Sequence, residues 1–456
     1  MYKSDFLNEI NSRGFIHQSS DIETLDTIMK KKSITGYIGF DPTSDCLHVG
    51  SLVQLMLLNW MQYYGHKPLI LMGGGTTLVG DPSGKDETRK IMKIEEINNN
   101  IEKIKLIFSK FIDFNRDAII LNNYEWLASQ NYIDFLRNIG TKVTINKMLT
   151  YDSVKSRLDR EQPLTFLEFN YMLLQAYDFL HLYENYDCVL QMGGSDQWGN
   201  IINGIDLIRK IRNGNAFALT SPLITNSDGT KMGKTVNGSI WLSENKLSNF
   251  EFFQFWRNVD DNNVEKFLKL FTKLKLSEIK KLSQLKDKEI NEAKKILAYE
   301  VTKMCRGEES AKEVINMASN IFEKNVVDSR INSQNISLSK VLNDEFNIID
   351  ALVQLNLISS RSDAKRIIKS GGIKINDIKY LITNKSSDVP SCIELENVKE
   401  LTYSDATRNF LTKHLVNKRT LFKFISSSSS FLILLKILAK YRYDFSLLGL
   451  NTISFS

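Results

Sequence analysis

The sequence predicts an α/β fold in which a parallel sheet is covered by helices on both faces, followed by an α-helical domain and a small α+β domain. Three observations carry that prediction. Short continuous apolar runs alternate with helical periodicity up to about residue 225, the pattern of strands buried on both faces. Most of these runs end in a glycine-rich or polar turn. From about 245 to 325 the chain becomes Lys/Glu-rich and helical, with no strand signal.

The elements follow in order. Gly36-Tyr37-Ile38-Gly39-Phe40 is a strand that ends in the turn Asp41-Pro42-Thr43. Ser51 to Tyr64 places Leu52, Leu55, Met56, Trp60 and Tyr63 at helical spacing. Pro68 to Met72 is a strand ending in Gly73-Gly74-Gly75, and Ala118 to Leu121 another, turning at Asn122-Asn123. Thr165 to His181 reads as a helix, and Cys188 to Met192 as a strand ending in Gly193-Gly194. Ligands of such sheets bind beyond the carboxyl ends of the strands, where these turns fall. The resulting division is 1–245 for the sheet domain, 246–325 for the helices, 326–336 for a linker, 337–405 for a small mixed unit, and 406–456 for an atypical tail containing Ser426 to Ser430.

Composition narrows the function classes. A chain of 456 residues suggests two or three domains. Its 42% hydrophobic content is enough for packed cores and argues against wholesale disorder. The net charge of +6 permits an acidic partner such as RNA without requiring one. Cys46, Cys188, Cys305 and Cys392 are far apart, and no two histidines stand at i, i+4. Neither a zinc site nor a disulfide framework is expected, and reduced thiols point to the cytoplasm. The first fifteen residues include Asp5 and Glu9 and lack an apolar core, unlike a signal or transit peptide. The apolar run Phe431 to Ala439 is broken by Lys436, well short of the roughly 20 residues of a membrane helix.

Four segments carry chemistry. Leu47-His48-Val49-Gly50-Ser51 leads into a helix, whose amino end attracts phosphate. Gly50 lets a nucleotide approach the backbone, and His48 can donate to a phosphate oxygen; alone, the segment reads more readily as a histidine near a helix cap. Asp228 to Thr235 is a glycine-flanked loop with Lys231 and Lys234 three apart, able to clamp polyphosphate or to serve only as a solvated turn. It lacks the glycine spacing of a P-loop. In the helix from Thr165, Tyr171, Gln175 and Asp178 share one face of an otherwise apolar body, a polar stripe more readily explained by a ligand than by solvent. Finally, Gln191-Met192-Gly193-Gly194-Ser195-Asp196-Gln197-Trp198-Gly199-Asn200 runs from strand into helix; its glycines can accept a flat base, Asp196 a ribose hydroxyl, and Gln197 can bind a carboxylate, although Gly193 to Gln197 alone is an ordinary capped turn.

Together with Tyr37 to Asp41, Gly80-Asp81-Pro82-Ser83-Gly84-Lys85 and Asn123-Tyr124-Glu125-Trp126, these strings resemble the bacterial-type tyrosyl-tRNA synthetases, class I enzymes, in order and spacing over about residues 1 to 405. The resemblance implies a Rossmann-like catalytic domain and a role for each matching position. Tyr37 and Asp178 would bond the phenolic hydroxyl of L-tyrosine. Asp81, Tyr171 and Gln175 would hold its ammonium, with Gln197 near its carboxylate. Gly39, Asp41, Thr43, His48, Gly50, Gly194, Asp196 and Lys234 would line the ATP site. Lys85, Arg89, Lys231, Lys234 and Thr235 would stabilise departing pyrophosphate. ATP would arrive with Mg²⁺, without any protein-bound zinc.

Residues 337–405 resemble the S4 RNA-binding domain, most clearly from Ser360 to Arg366 and from Gly371 to Asn376. Between Arg361 and Lys379 stand six basic residues and two acidic ones. Arg361, Lys365, Arg366 and Lys369 would form a basic face that tracks the phosphates of tRNA(Tyr). The family also implies a homodimer, with residues 130 to 165 as the expected interface, and no membrane partner. The chain departs from the family in Ser51, where a second histidine is common, and after about Thr407, where the closing strands of an S4 unit are not recognisable. Three other readings compete: tryptophan activation, an RNA-binding scaffold without catalysis, and a small-molecule adenylyltransferase. The pair Tyr37 and Asp178 disfavours the first, intact pocket residues the second, and the tyrosine-type helix with the S4-like unit the third.

Overall fold

The computed structural model describes residues 1–81, 92–225, 232, 234–235, 238–323, 348–354, 358, 360–369, 373–375 and 378–380. They fall into two units, Met1–Lys324 and Asn325–Ser456. In the first, six strands form one sheet: β1 (Gln18–Ser19), β2 (Thr35–Phe40), β3 (Lys67–Met72), β4 (Ile119–Asn122), β5 (Cys188–Gly194) and β6 (Phe217–Ser221), in the order β1-β6-β5-β2-β3-β4. The five strands from β6 to β4 are mutually parallel. At the edge β1 runs antiparallel to β6, so the sheet is mixed. Two residues carry no periodicity, which is why the sequence did not announce β1.

Burial explains the apolar runs. After Lys67 every residue of β3 is buried, as is all of β6. The helix Leu52–Tyr63 buries nine residues on several sides. It is covered by the sheet and by the helix Val264–Phe271. The helix predicted from Thr165 spans Phe166–Tyr186 and starts in a capping box, Thr165 bonding the N–H of Glu168 and Glu168 returning the bond. It ends at Asp187, whose φ of 50° breaks the helical path. Along its length it packs on the helix Trp198–Arg212. A Cβ at Gly204 would stand 2.8 Å from the Phe179 ring, so glycine lets these two helices meet closely.

The segment after 245 is helical, as its composition implied: Asn249–Arg257, Val264–Phe271, Leu276–Leu282, Ile290–Arg306 and Glu308–Glu323. Its Phe252, Trp256, Phe271 and Leu297 share one apolar core with Phe6, Leu58, Ile70 and Leu190. Arg13, from the helix Asp5–Ser12, reinforces that junction. Its buried guanidinium donates to the carbonyls of Lys269, Thr272 and Leu274, pairs with Glu9 at 2.6 Å and lies over the Trp60 ring. The carbonyls at the end of Val264–Phe271 thereby gain donors that their own helix cannot supply.

In the second unit, the helix Arg361–Lys369 starts at Ser360, whose hydroxyl oxygen accepts from the Asp363 N–H. Ile373–Ile375 pairs antiparallel with Ile378–Tyr380. The expected linker 326–336 and the tail 406–456 lie outside the described residues. Among the described residues no helix is long and apolar enough to cross a membrane.

His66 gives the first unit a definable acid sensitivity. Its ring is buried against the edge of Phe6, and Nδ1 accepts from the Ile34 N–H at 3.4 Å. Burial pushes its pKa down to about 4. The unfolded chain takes up a proton below about pH 6.5, whereas the folded chain resists until about pH 4. Stability is therefore lost as pH falls through that window. His66→Asn, which keeps an acceptor for Ile34, is expected to show a shallower fall in melting temperature from pH 7 to pH 4.5 than the native chain; parallel curves would show that His66 is not the titrating group.

Candidate active site

The carboxyl ends of β2, β3 and β5 open into a cleft of about 590 Å³. Tyr37, Gly39, Asp41, Thr43, His48, Gly50, Asp81, Tyr171, Gln175, Asp178, Gly194, Asp196 and Gln197 all line it. These are all the tyrosine- and ATP-site positions expected from the sequence except Lys234. Lys85, Arg89 and Lys231 lie outside the described residues; for Lys234 and Thr235 the backbone alone is described, as a strand paired with Gly238–Ser239. A larger hollow of about 950 Å³ sits at the opposite ends of the strands, beside Thr35 and Lys67, and contains none of the expected residues. Parallel sheets bind ligands at their carboxyl ends, so the smaller cleft is the candidate site.

The floor of the cleft is a buried carboxylate. Asp178 accepts from Asn123 Nδ2 at 2.9 Å and from Trp126 Nε1 at 2.7 Å. The Trp126 ring is in turn stacked on His181 at 4.2 Å. Burial raises the Asp178 pKa to about 7, against the two N–H donors, which favour the ionised form. Tyr37 is 1% exposed and, among the described residues, its hydroxyl has no hydrogen-bond partner. Burial, then the neighbouring Asp178 charge, pushes its pKa well above the ordinary phenol value, so it stays a donor. Gln191 on β5 also lines the cleft, and its buried Oε1 has no partner among the described residues. Unsatisfied buried polar atoms are costly, and a ligand with its own polar end would satisfy them.

Above the floor the polar groups bond to one another. Tyr171 donates to Asp41 Oδ2 at 3.0 Å, and Thr76 donates to Asp41 Oδ1 at 2.8 Å. Gln197 Nε2 donates to Asp81 Oδ2 at 3.0 Å. Asn200 Nδ2 donates to the side-chain oxygens of Gln175 and Gln197. Two carboxylates and an oriented amide oxygen make this level suited to a small cation such as an ammonium.

At the mouth, Gly39 is exposed within an otherwise buried strand, and a Cβ there would project into open space. Any side chain would take volume from a ligand. His48 caps the short turn Val49–Ser51, its Nδ1 accepting from the Gly50 N–H at 2.9 Å. That bond puts the proton of the neutral ring on Nε2, which makes Nε2 the donor. Among the described residues, no group of three or more His, Cys, Asp or Glu side chains is gathered to hold a metal ion.

The sequence had flagged Asn123 to Trp126 as a string without giving its side chains work. Gln191 and Asn200 bound the fourth segment without a role of their own, and Thr76 is outside every segment singled out. The available signal was position: Asn123 directly follows β4 and Thr76 follows the triple glycine after β3, both at the ligand-binding edge.

Residues 29–323 match the family model described as class I tRNA synthetases for tryptophan and tyrosine (W and Y). The chain is similar to the tyrosine–tRNA ligase of Beijerinckia indica, at 52% identity over 377 residues, 82% of this chain and 90% of that one. It is 50% identical to the tyrosine–tRNA ligase of Zymomonas mobilis over 383 residues, 83% of this chain and 92% of the relative. Among solved structures, a C-terminally truncated mitochondrial tyrosyl-tRNA synthetase of Aspergillus nidulans superposes with a TM-score of 0.62 at 30% identity, covering 70% of this chain and 94% of that one. The chain therefore belongs to the class I tRNA synthetase family for tyrosine and tryptophan, and its relatives at about half identity are tyrosine–tRNA ligases.

The raised Asp178 pKa has a measurable consequence. The unfolded chain releases this proton near pH 4, whereas the folded chain keeps it until about pH 7. Stability present below pH 4 is therefore lost as pH rises towards 7, and the loss is complete above it. In Asp178→Asn the decline of melting temperature between pH 5 and pH 8 is expected to flatten relative to the native chain. An unchanged slope would mean that Asp178 is already ionised at pH 5.

Proposed function

We propose that this chain activates L-tyrosine with ATP to give tyrosyl-adenylate and pyrophosphate, and then transfers tyrosine to the 3′-terminal adenosine of tRNA(Tyr). The observation that carries the residue assignment is the partnerless Tyr37 hydroxyl beside the buried Asp178 carboxylate, at the bottom of a cleft ringed by Asp41, Asp81, Tyr171 and Gln175. A phenol inserted there accepts from Tyr37 and donates to Asp178. Its ammonium meets Asp81, Tyr171 and Gln175, and its carboxylate lies near Gln197. A site built to bond a hydroxyl strongly rejects phenylalanine, which leaves both partners unmatched; this enzyme family is itself the standing example of that effect.

ATP occupies the mouth, with Gly39, Asp41, Thr43, Gly194 and Asp196 around the nucleoside and His48 and Gly50 at the phosphates. A tyrosine carboxylate oxygen attacks the α-phosphorus, and the bond to the β-phosphate oxygen breaks with release of pyrophosphate. In the second step a terminal ribose hydroxyl attacks the activated carbonyl and AMP leaves. No protein nucleophile takes part. The chain aligns the reactants and stabilises developing charge, through the His48 Nε2 donor and the cations Lys85, Arg89, Lys231 and Lys234, with Thr235 beside them. Mg²⁺ enters as part of the ATP complex; no zinc site is proposed.

The same reading extends to partners. Residues 1–245 serve as catalytic domain, 246–325 as helical domain and 337–405 as an S4-like RNA-binding domain. Arg361, Lys365, Arg366 and Lys369 are exposed on one helix whose Ala364 and Ile368 are buried, a support for phosphate tracking. Arg361 pairs with Asp350 and Arg366 with Asp363, so RNA would have to exchange those partners. A homodimer is supported by Tyr132, Ile133, Ile145 and Phe166, each at least 59% exposed within one stretch of chain, where a second copy would cover them. The described thiols Cys46, Cys188 and Cys305 are unpaired and buried, which suits the cytoplasm.

Two measurements test this. ATP–pyrophosphate exchange is expected with tyrosine and not with tryptophan or phenylalanine; exchange with tryptophan, or with none of the three, overturns the assignment. In sedimentation velocity the native chain is expected to run as a dimer at micromolar concentration and the Ile133→Asp, Ile145→Asp double variant as a monomer. A native monomer removes the homodimer from the reading.

A further inference from the structure

We propose that Asp45, Lys246 and Arg306 are positioning residues for the activation step, acting through Trp241 to hold His48 at the ATP end of the cleft. None of the three lines the cleft, whereas Trp241 and His48 both do. The inference rests on the reading of His48 as a phosphate donor.

Trp241 is joined to the first signature segment along its backbone. The Val49 N–H donates to the Ile240 carbonyl and the Leu242 N–H to the Leu47 carbonyl, both at 2.9 Å. These bonds flank a β-bridge between His48 and Trp241, whose rings meet edge to face at 6.4 Å. Where residue 241 sits, His48 follows.

Two clamps fix residue 241 from outside. The first is electrostatic: Asp45, three residues before His48, pairs with Lys246 and, at 3.2 Å, with Lys103 of the helix Ile94–Phe108. The Lys246 ammonium lies over the Trp241 ring, 4.9 Å from its centre. The bond from Lys246, followed by that from Lys103, holds the Asp45 carboxyl below its usual range. The second is Arg306, the last residue of the helix Ile290–Arg306. Its buried guanidinium donates to the carbonyl of Trp241 at 2.9 Å, to that of Leu247 at 3.0 Å and to Asn249 Oδ1 at 3.1 Å, and it lies over the Phe252 ring. A guanidinium removed from water is costly unless its donors are used. Here both terminal nitrogens are aimed at the stretch 241–249, and only Nε lacks a partner among the described residues.

The geometry separates the two ends of the cleft. Tyrosine would be held at the floor by Tyr37 and Asp178, which none of these clamps touches. Loosening Trp241 would move His48 relative to the α-phosphate. An error of about 1 Å in such alignment costs up to about 100-fold in rate, while ground-state binding of tyrosine is untouched.

The test is single-turnover formation of tyrosyl-adenylate by the full chain, beside the tyrosine dissociation constant from equilibrium dialysis. In Lys246→Met the rate constant is expected to fall about tenfold or more, with tyrosine affinity unchanged. Lys246→Arg restores most of the rate. Asp45→Asn added to Lys246→Met costs little more, because the two act as one pair. Arg306→Lys shows the same split; if it fails to fold, the partly exposed Lys246 series decides. A native-like rate in Lys246→Met, or equal losses of rate and tyrosine affinity, overturns the inference. Native protein without tyrosine-dependent exchange instead overturns the functional reading, and this inference with it.

Discussion

A carboxylate buried at the edge of a parallel sheet is the constraint on which the site depends. Asp178 sits on the helix Phe166–Tyr186, and its two donors, Asn123 and Trp126, come from the turn after β4. The pair of bonds ties a helix packed behind β5 to the far side of the sheet, across β2 and β3. Asn123 extends the tie by accepting from the Gly75 N–H and donating to Thr76, so the turn after β3 is fixed as well. Removing a buried charge from its donors is far more costly than never burying it. These bonds therefore hold the turns in one arrangement around Tyr37.

The remaining polar groups of the cleft follow the same logic with a different outcome. Asp41, Asp81, Gln175 and Gln197 are each bonded to neighbouring side chains. An incoming amino acid exchanges existing bonds at that level rather than supplying missing ones. Among the described residues that line the cleft, only Tyr37 and Gln191 hold a buried side-chain polar atom that lacks a partner. Specificity is concentrated there, because an unmatched group below cannot turn to water.

Two buried arginines tie the helical segment to the preceding part of the chain, and both donate to carbonyls. Arg13 reaches the end of the helix Val264–Phe271, and Arg306 reaches the segment beside His48. A guanidinium presents five donors in a fixed plane, so one side chain fixes several stretches of backbone at once. The helical segment thereby does more than cover the core: it sets where the mouth of the cleft lies.

The sequence by itself determined the local elements and most of the site. Strands buried within a sheet must be continuous apolar runs, and turns at its carboxyl edge must be glycine-rich or polar, so β2, β3 and β5 and their turns were legible; the edge strand β4, which buries none of its residues, was legible from its apolar run alone. The polar stripe Tyr171, Gln175 and Asp178 was legible because period 3.6 places those residues on one face. Tertiary structure alone decided what those side chains meet. That Asp178 is bonded by Trp126, that Asp41 receives Tyr171, and that Asn200 reaches Gln175 are contacts across 25 to 130 positions of chain. The antiparallel β1 and the clamps on Trp241 belong to the same class. Local sequence sets backbone preference and burial over a few residues, whereas partners this distant are chosen only when the packed core brings their elements together.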